Sequence, residues 1–211
     1  MVKSITGFTA AIWMLLSINV ARAENLSLVV LGDSLSAGYQ LPQEESFPAQ
    51  LQAALKHRGF EVDVQNAGVS GDTASAALSR LDWAVPEGTK LVIVELGAND
   101  ALRGVLPKET KKALDELITR LKGKGARVIL AGMLAPPNLG PEFGEAFNGI
   151  YPALAEKHGL AFYPFFLEGV VARPELNQAD GMHPNGKGVG VIVAGILPLV
   201  EEVLTGMKET Q

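Results

Sequence analysis

The chain has 211 residues, 47% of them hydrophobic and 19% charged, and its formal net charge is −5 at pH 7. This composition is typical of one globular domain with a full core, and it excludes a largely disordered chain. The short basic run at residues 108–112 is too small for the concentrated basic face that nucleic-acid binding needs. Because the chain has no cysteine, it has no disulfide, no thiolate metal site and no cysteine nucleophile.

The first 23 residues have the pattern of a cleaved signal peptide. Lys3 supplies a positive charge, residues 7–20 are apolar, and Ala21-Arg22-Ala23 fits an A-x-A cleavage site. A membrane-spanning helix needs about 20 apolar residues, and this stretch is shorter. The alternative is a membrane anchor that is not cleaved. We expect a single mature domain over residues 24–211, in the periplasm or outside the cell and without integral membrane association.

Apolar runs of strand length alternate with helical patterns along the mature chain. Five strands are predicted, at residues 26–31, 61–64, 90–96, 127–131 and 160–163. Helices are predicted at residues 48–58, from an Asp72 N-cap to Trp83, at 107–122, at 142–158 with a bend at Gly149 or Pro152, and at about 187–204. Glycines and Pro198 interrupt the last, very apolar segment, which indicates a buried helix rather than a membrane span.

This alternation predicts an α/β fold with one parallel sheet and helices on both of its faces. For five strands, the common doubly wound order is 2-1-3-4-5. In such sheets, ligands bind at the edge where the strands end. Glycine and polar residues gather at that predicted edge, in residues 32–34, 68–72, 97–100, 134–141 and 180–185.

Ser34, at the end of the first strand, is a candidate nucleophile, although serine is also an ordinary N-cap residue. A serine hydroxyl needs a base, and histidine is the base whose pKa suits neutral pH. Of the three histidines, His57 lies on a charged helix face and His158 at a helix end, where it can bond free carbonyls. His183 lies in a loop three residues after Asp180, which either holds the ring tautomer or only fixes the loop.

Attack on an acyl carbon creates an oxyanion, which needs fixed hydrogen-bond donors. The N–H groups of Ser34 and Gly71 and the side-chain amide of Asn99 are candidates. Instead of serving as oxyanion-hole donors, Gly71 could be only a glycine of a turn and Asn99 only a residue that ends a strand. Asp33 and Asp100 are interpreted as acceptors that brace loops.

Ser70 is a rival nucleophile on the same edge. It lies in a Gly-x-Ser-Gly sequence and so misses the Gly-x-Ser-x-Gly spacing of a nucleophile elbow. We therefore prefer Ser34.

Four blocks, in order along the chain, resemble the SGNH, or GDSL, hydrolase family, whose named residues would be Ser34, Gly71, Asn99 and His183. The likeness is greatest to the branch of bacterial periplasmic multifunctional acyl-CoA thioesterase I/protease I/lysophospholipase L1 and its arylesterase relatives. It extends to residues 146–152 and 165–168, and Ala98 stands where many relatives have glycine. The blocks are Gly32-Asp33-Ser34-Leu35-Ser36-Ala37-Gly38-Tyr39, Asn66-Ala67-Gly68-Val69-Ser70-Gly71-Asp72-Thr73, Gly97-Ala98-Asn99-Asp100 and Asp180-Gly181-Met182-His183-Pro184-Asn185.

The resemblance implies a flavodoxin-like three-layer α/β/α sandwich and a serine hydrolase without metal or cofactor. Ser34 would be the nucleophile, His183 the base and Asp180 its orienting group, with an oxyanion hole from Ser34, Gly71 and Asn99. The implied substrates are small acyl esters, thioesters or lysophospholipids, and we expect a monomer. A carbohydrate O-deacetylase and a non-catalytic lipid- or glycan-binding module are the alternatives.

Members of this branch bind acyl chains in a groove near a mobile loop, which would lie here at residues 73–81. That stretch is rich in small residues, which suits either mobility or plain helix packing. Apolar residues near the predicted site either line the groove or form a peripheral cluster under the long loops; they are Leu102, Val105, Leu134, Leu139 and Phe143.

Overall fold

Five parallel strands form one sheet in the order β2-β1-β3-β4-β5 in the computed structural model. The structure describes residues 25–209, so the predicted signal peptide lies outside the described residues. The five predicted strands and their order are confirmed. The strands are β1 (Leu26–Gly32), β2 (Val62–Asn66), β3 (Leu91–Glu95), β4 (Arg127–Ala131) and β5 (Ala161–Tyr163).

The two central strands are buried on both faces. Val30 of β1 pairs with Ile93 of β3, and Leu28, Val29 and Val92 beside them are also fully buried. Such unbroken apolar runs are expected where helices cover both faces of a parallel sheet. The central strands therefore give the carboxyl edge of the sheet a rigid base.

The helices form two layers. Helices α2 and α9 pack together on one face of the sheet, whereas α6 contacts both α3 and α8 on the other face. The helices are α1 (Ser34–Ala37), α2 (Phe47–His57), α3 (Ala74–Ser79), α4 (Leu81–Ala84), α5 (Ala98–Leu102), α6 (Pro107–Gly123), α7 (Pro141–Asn148), α8 (Ile150–His158) and α9 (Gly186–Lys208). The predicted three-layer α/β/α fold is confirmed.

By length and composition, α9 would also suit a membrane span. Ile192, Ile196 and Val200 form a fully buried stripe along it, and the helix packs on α2 and β5. The burial of this stripe is as expected for the predicted core helix.

Two predicted helices differ from the structure. The helix predicted from an Asp72 N-cap to Trp83 is wrong in its start and its continuity: Thr73 is the N-cap, and the helix breaks at Arg80 into α3 and α4. The Asp72 carboxylate pairs with Arg80 instead of capping the helix. The helix predicted over residues 142–158 divides at Gly149 into α7 and α8, one of the two positions predicted for a bend.

Candidate active site

Ser34 is the first residue of α1, directly after the turn that ends β1. Asp33 is the N-cap of this helix, and its Oδ1 accepts a hydrogen bond from the Leu35 N–H at 3.0 Å. The interpretation of Ser34 as the N-cap is therefore wrong, and its hydroxyl is not used for capping. Instead, Ser34 Oγ lies 3.0 Å from His183 Nε2.

His183 and Asp180 continue this contact into a chain of three side chains. His183 Nδ1 lies 2.6 Å from Asp180 Oδ2, and the N–H groups of Met182 and His183 both donate to Asp180 Oδ1. These backbone bonds, with the imidazole contact, lower the pKa of Asp180 to about 2. The carboxylate is thus ionised over the physiological range and favours a proton on Nδ1, which leaves Nε2 as an acceptor for the serine hydroxyl.

The irregular segment between β5 and α9 is held in place by hydrogen bonds around Gln178. Its N–H donates to the His183 carbonyl at 2.8 Å, and its Nε2 donates to the carbonyls of Tyr39 and Pro184. The Tyr39 ring also lies against the His183 ring, with 4.6 Å between centroids. These contacts fix the imidazole beside Ser34, although the two residues are 149 positions apart.

Gly71 lies in the loop after β2, which is joined to the Ser34 turn. The Val69 N–H donates to the Gly32 carbonyl at 3.1 Å, and Arg103 Nη2 donates to the Gly71 carbonyl at 2.8 Å. Gly71 has φ +87°, a conformation that favours glycine. Among residues 25–209, the N–H groups of Ser34 and Gly71 have no hydrogen-bond acceptor.

Asn99 lies in the first turn of α5, after β3. Its Nδ2 donates to Asp33 Oδ2 at 3.0 Å. The next residue, Asp100, accepts hydrogen bonds from the Ala74 N–H and the Thr110 hydroxyl. Asp100 thus braces the loop, as predicted, whereas Asp33 contacts both the helix start and Asn99.

Within residues 25–209, the other two histidines and Ser70 make no hydrogen bond to Ser34, His183 or Asp180. His57 is exposed at the end of α2, and Ser70 is exposed. His158 Nε2 lies 2.6 Å from Asp115 Oδ1 at the end of α8. Because α8 leads into the start of β5, His158 lies at the opposite edge of the sheet from Ser34.

The five apolar residues predicted near the site have different exposures. Leu102 and Leu134 are exposed, at 56% and 44%. Leu139 and Phe143 pack partly buried against the core, where Phe143 stacks on Phe147. Val105, between α5 and α6, is half-buried. In the predicted mobile stretch, residues 74–79 form α3, which packs on α6.

Two buried ionisable residues near Ser34 were not predicted from the sequence to belong to the site. Glu95, at the end of β3, is fully buried and accepts a hydrogen bond from the Ser36 hydroxyl at 2.6 Å. Arg80 Nη2 donates to the Gly32 carbonyl at 3.1 Å. The signal for Glu95 is an acid that ends an otherwise apolar strand, whereas Arg80 has no comparable signal.

Comparison with known proteins gives a family match and two close relatives. Residues 30–191 match the GDSL-like Lipase/Acylhydrolase family. The chain is 44% identical over 168 residues to an Arylesterase of Vibrio mimicus, covering 79% of this chain and 84% of that one. It is 38% identical over 173 residues to Thioesterase 1/protease 1/lysophospholipase L1 of Escherichia coli (strain K12), covering 82% and 81%.

A solved esterase structure has the same fold as this chain. The psychrotrophic esterase EstA from Pseudoalteromonas sp. superposes with a TM-score of 0.80 at 31% identity, covering 86% of this chain and 100% of that one. The chain therefore belongs to the GDSL-like lipase/acylhydrolase family, as the four sequence blocks predict, and is an ester or thioester hydrolase.

Proposed function

We propose that this protein cleaves small acyl esters and thioesters through an acyl-enzyme on Ser34. The observation that carries the proposal is the chain from Ser34 Oγ to His183 Nε2, at 3.0 Å, and from His183 Nδ1 to Asp180 Oδ2, at 2.6 Å. Nucleophile, base and orienting carboxylate lie in the order that serine hydrolysis requires.

The reaction has two steps, acylation and deacylation of Ser34, and His183 accepts and returns one proton in each. His183 Nε2 takes the hydroxyl proton as Ser34 Oγ attacks the acyl carbon. The tetrahedral intermediate then collapses, and the alcohol or thiol leaves with that proton. A water molecule attacks the Ser34 ester, gives its proton to His183, and the acid is released as the proton returns to Ser34 Oγ.

The oxyanion of both intermediates is stabilised by the N–H groups of Ser34 and Gly71 and by Asn99 Nδ2. Support comes from the two N–H groups, which have no acceptor within residues 25–209. Arg103, bonded to the Gly71 carbonyl, restrains this loop. Loss of one such donor typically lowers kcat by about 10² to 10³-fold.

The acyl chain lies against the exposed apolar side chains Leu102 and Leu134. Their exposure in the free protein, at 56% and 44%, leaves apolar surface available to a ligand. Val105, which is half-buried, extends this surface, whereas Leu139 and Phe143 support it from the core. Aryl esters, acyl thioesters and lysophospholipids all present an acyl group to such a surface, in accordance with the names of the relatives.

The test compares hydrolysis by the wild type and by Ser34→Ala. The substrates are p-nitrophenyl esters from acetate to dodecanoate and a matched series of acyl thioesters. We expect Ser34→Ala to lose activity on all of them, and the control Ser70→Ala to retain it. Equal activity of the wild type and Ser34→Ala would contradict the proposal.

A fluorophosphonate probe separates this function from a non-catalytic module. We expect the probe to label the wild type at Ser34 and to leave Ser34→Ala unlabelled, because labelling needs an activated hydroxyl. A carbohydrate O-deacetylase would be labelled too, but it would prefer acetylated sugars to acyl chains longer than about four carbons.

We also propose that the mature enzyme acts in the periplasm or outside the cell. The support is the charged and apolar pattern of residues 3–23, which ends in Ala21-Arg22-Ala23. Mass spectrometry of the protein recovered from the periplasmic fraction should give an N-terminus at Glu24. Recovery of the uncleaved chain in the membrane fraction would contradict this.

A further inference from the structure

A buried polar cluster lies directly beneath Ser34, and the Ser34–His183–Asp180 chain does not use it. Asp33, Ser36 and Glu95 are each fully buried. Glu95 Oε2 accepts a hydrogen bond from the Ser36 hydroxyl at 2.6 Å and faces the Asp33 N–H at 3.4 Å. A buried acid lowers the free energy of unfolding unless its polar atoms are hydrogen-bonded or paired.

The contact between Asp33 and Asn99 sets the direction of the Asn99 amide. A carboxylate only accepts hydrogen bonds, so the Asn99 group that faces Asp33 Oδ2 at 3.0 Å must be Nδ2. One N–H of that nitrogen is used by Asp33, and the other has no acceptor among residues 25–209. A flipped amide would place its carbonyl oxygen against the Asp33 carboxylate, which is unfavourable.

Glu95 restrains the other side of the same turn. It bonds Ser36, two residues after the nucleophile, and faces the N–H of Asp33, one residue before it. A Cβ at position 32 would lie 2.7 Å from Glu95 Oε2, so glycine at this position permits the close approach. The turn that carries Asp33 and Ser34 is thus held from below by one side chain of β3.

We propose that Asp33 and Glu95 are positioning residues of the oxyanion hole. Asp33 holds Asn99 with Nδ2 towards the oxyanion, and Glu95 holds the turn that carries both Asp33 and Ser34. The inference rests on the proposed function and names two residues that act through Asn99 and Ser34 rather than on the substrate.

The charges of the cluster support this division of roles. Burial raises the pKa of Asp33 to about 6, although the hydrogen bonds from the Leu35 N–H and from Asn99 Nδ2 act to lower it. Burial, and then the charge of Asp33, raise the pKa of Glu95 well above its usual value. Burial thus favours a neutral Glu95, whereas the hydrogen bonds from Leu35 and Asn99 favour negative charge on Asp33, the residue that bonds Asn99.

The decisive experiment is a double-mutant cycle between Asp33 and Asn99. We expect Asp33→Asn to lower kcat on p-nitrophenyl acetate by about 10²-fold, with KM changed by less than about twofold, because only transition-state binding is lost. Asn99→Ala should have a similar effect. The double variant should be no slower than Asn99→Ala, because Asp33 acts through Asn99.

Additive losses in the double variant, or a normal kcat in Asp33→Asn, would overturn the role of Asp33. If Asp33→Asn does not fold, Asp33→Ser replaces it: serine still caps α1 but is too short to reach Asn99. Ser34→Ala is measured alongside. If Ser34→Ala were as active as the wild type, the proposed function itself would fail, which is a separate outcome.

The role of Glu95 is tested by comparing two substitutions at that position. Glu95→Gln keeps the shape of the neutral acid, and we expect its kcat at pH 7 to stay within about threefold of the wild type. Glu95→Ala removes the contact with Ser36, and we expect kcat to fall about 10-fold at unchanged KM. A normal kcat in Glu95→Ala, or an equal loss in a folded Glu95→Gln, would overturn this role.

Discussion

Two aspartate–histidine pairs in this protein have the same contact distance but use different ring nitrogens and lie at opposite edges of the sheet. His183 Nδ1 lies 2.6 Å from Asp180, and His158 Nε2 lies 2.6 Å from Asp115. The Asp180 pair leaves Nε2 free for Ser34 at the carboxyl edge of the sheet. The Asp115 pair uses Nε2 itself, and Lys157 also bonds Asp115. A short carboxylate–imidazole contact therefore does not by itself indicate catalysis; the second ring nitrogen must also face a reactive group, as Nε2 of His183 faces the Ser34 hydroxyl.

The largest expected difference between the pairs is in activity. Asp180→Asn should lower kcat by about 10³ to 10⁴-fold, because an amide does not hold the His183 tautomer that accepts the serine proton. The measurement is steady-state hydrolysis of p-nitrophenyl acetate. Asp115→Asn is the matched control, and we expect its kcat to equal that of the wild type. A similar loss of kcat in both variants would show that the two aspartate–histidine pairs do not differ in their effect on activity.

A smaller effect should follow from the ring beside His183. Tyr39 lies 4.6 Å from the His183 ring between centroids. Tyr39→Ala should lower kcat about 3- to 10-fold, the equivalent of one aromatic contact. Tyr39→Phe keeps the ring and should retain most of the activity. If Tyr39→Phe is as slow as Tyr39→Ala, the hydroxyl rather than the ring is what matters.

The Asp115 pair should contribute to stability alone. Its partner Lys157 is largely exposed, so the pair is partly screened by solvent. We expect Asp115→Asn to lower the free energy of unfolding by about 0.5–1 kcal/mol. Urea denaturation of the wild type and the variant measures this change. A loss above about 3 kcal/mol would show that Asp115 supports the core.

The smallest effect concerns acid stability. The pKa of Asp180 is lowered from 3.8 to about 2 in the folded protein. Its contribution to stability is therefore complete above about pH 4 and is lost as the pH falls through 2. The difference in Tm between the wild type and Asp180→Asn should shrink from pH 5 to pH 2. A difference that stays constant over this range would contradict the lowered pKa.

The five strands could be predicted from the sequence because their signals are local, whereas their order was expected only from the common doubly wound arrangement. In β3, for example, residues 91–94 are all apolar, and the alternation of such runs with helical patterns restricts the topology. Helix ends were less predictable because they depend on distant partners. Asp72 has the chemistry of an N-cap, but its pairing with Arg80 leaves that role to Thr73.

The same difference between local signals and long-range contacts holds for the residues of the candidate site. Asp180 and His183 are three residues apart, so their pairing was visible in the sequence. Glu95 contacts Ser36 across 59 positions, and Arg80 contacts Gly32 across 48. No periodicity or motif encodes such contacts between distant positions, so the roles of Glu95 and Arg80 near the nucleophile emerged only from the structure.

The contacts of Arg80 have a consequence for local unfolding. Arg80 bonds the Gly32 carbonyl and pairs with Asp72, so one buried side chain joins the Ser34 turn to the Gly71 loop. Neither segment can open alone without breaking a charge-assisted bond. We expect the amide hydrogens of Ala37 and Val69, bonded to Asp33 and Gly32 respectively, to exchange with solvent as one cooperative unit.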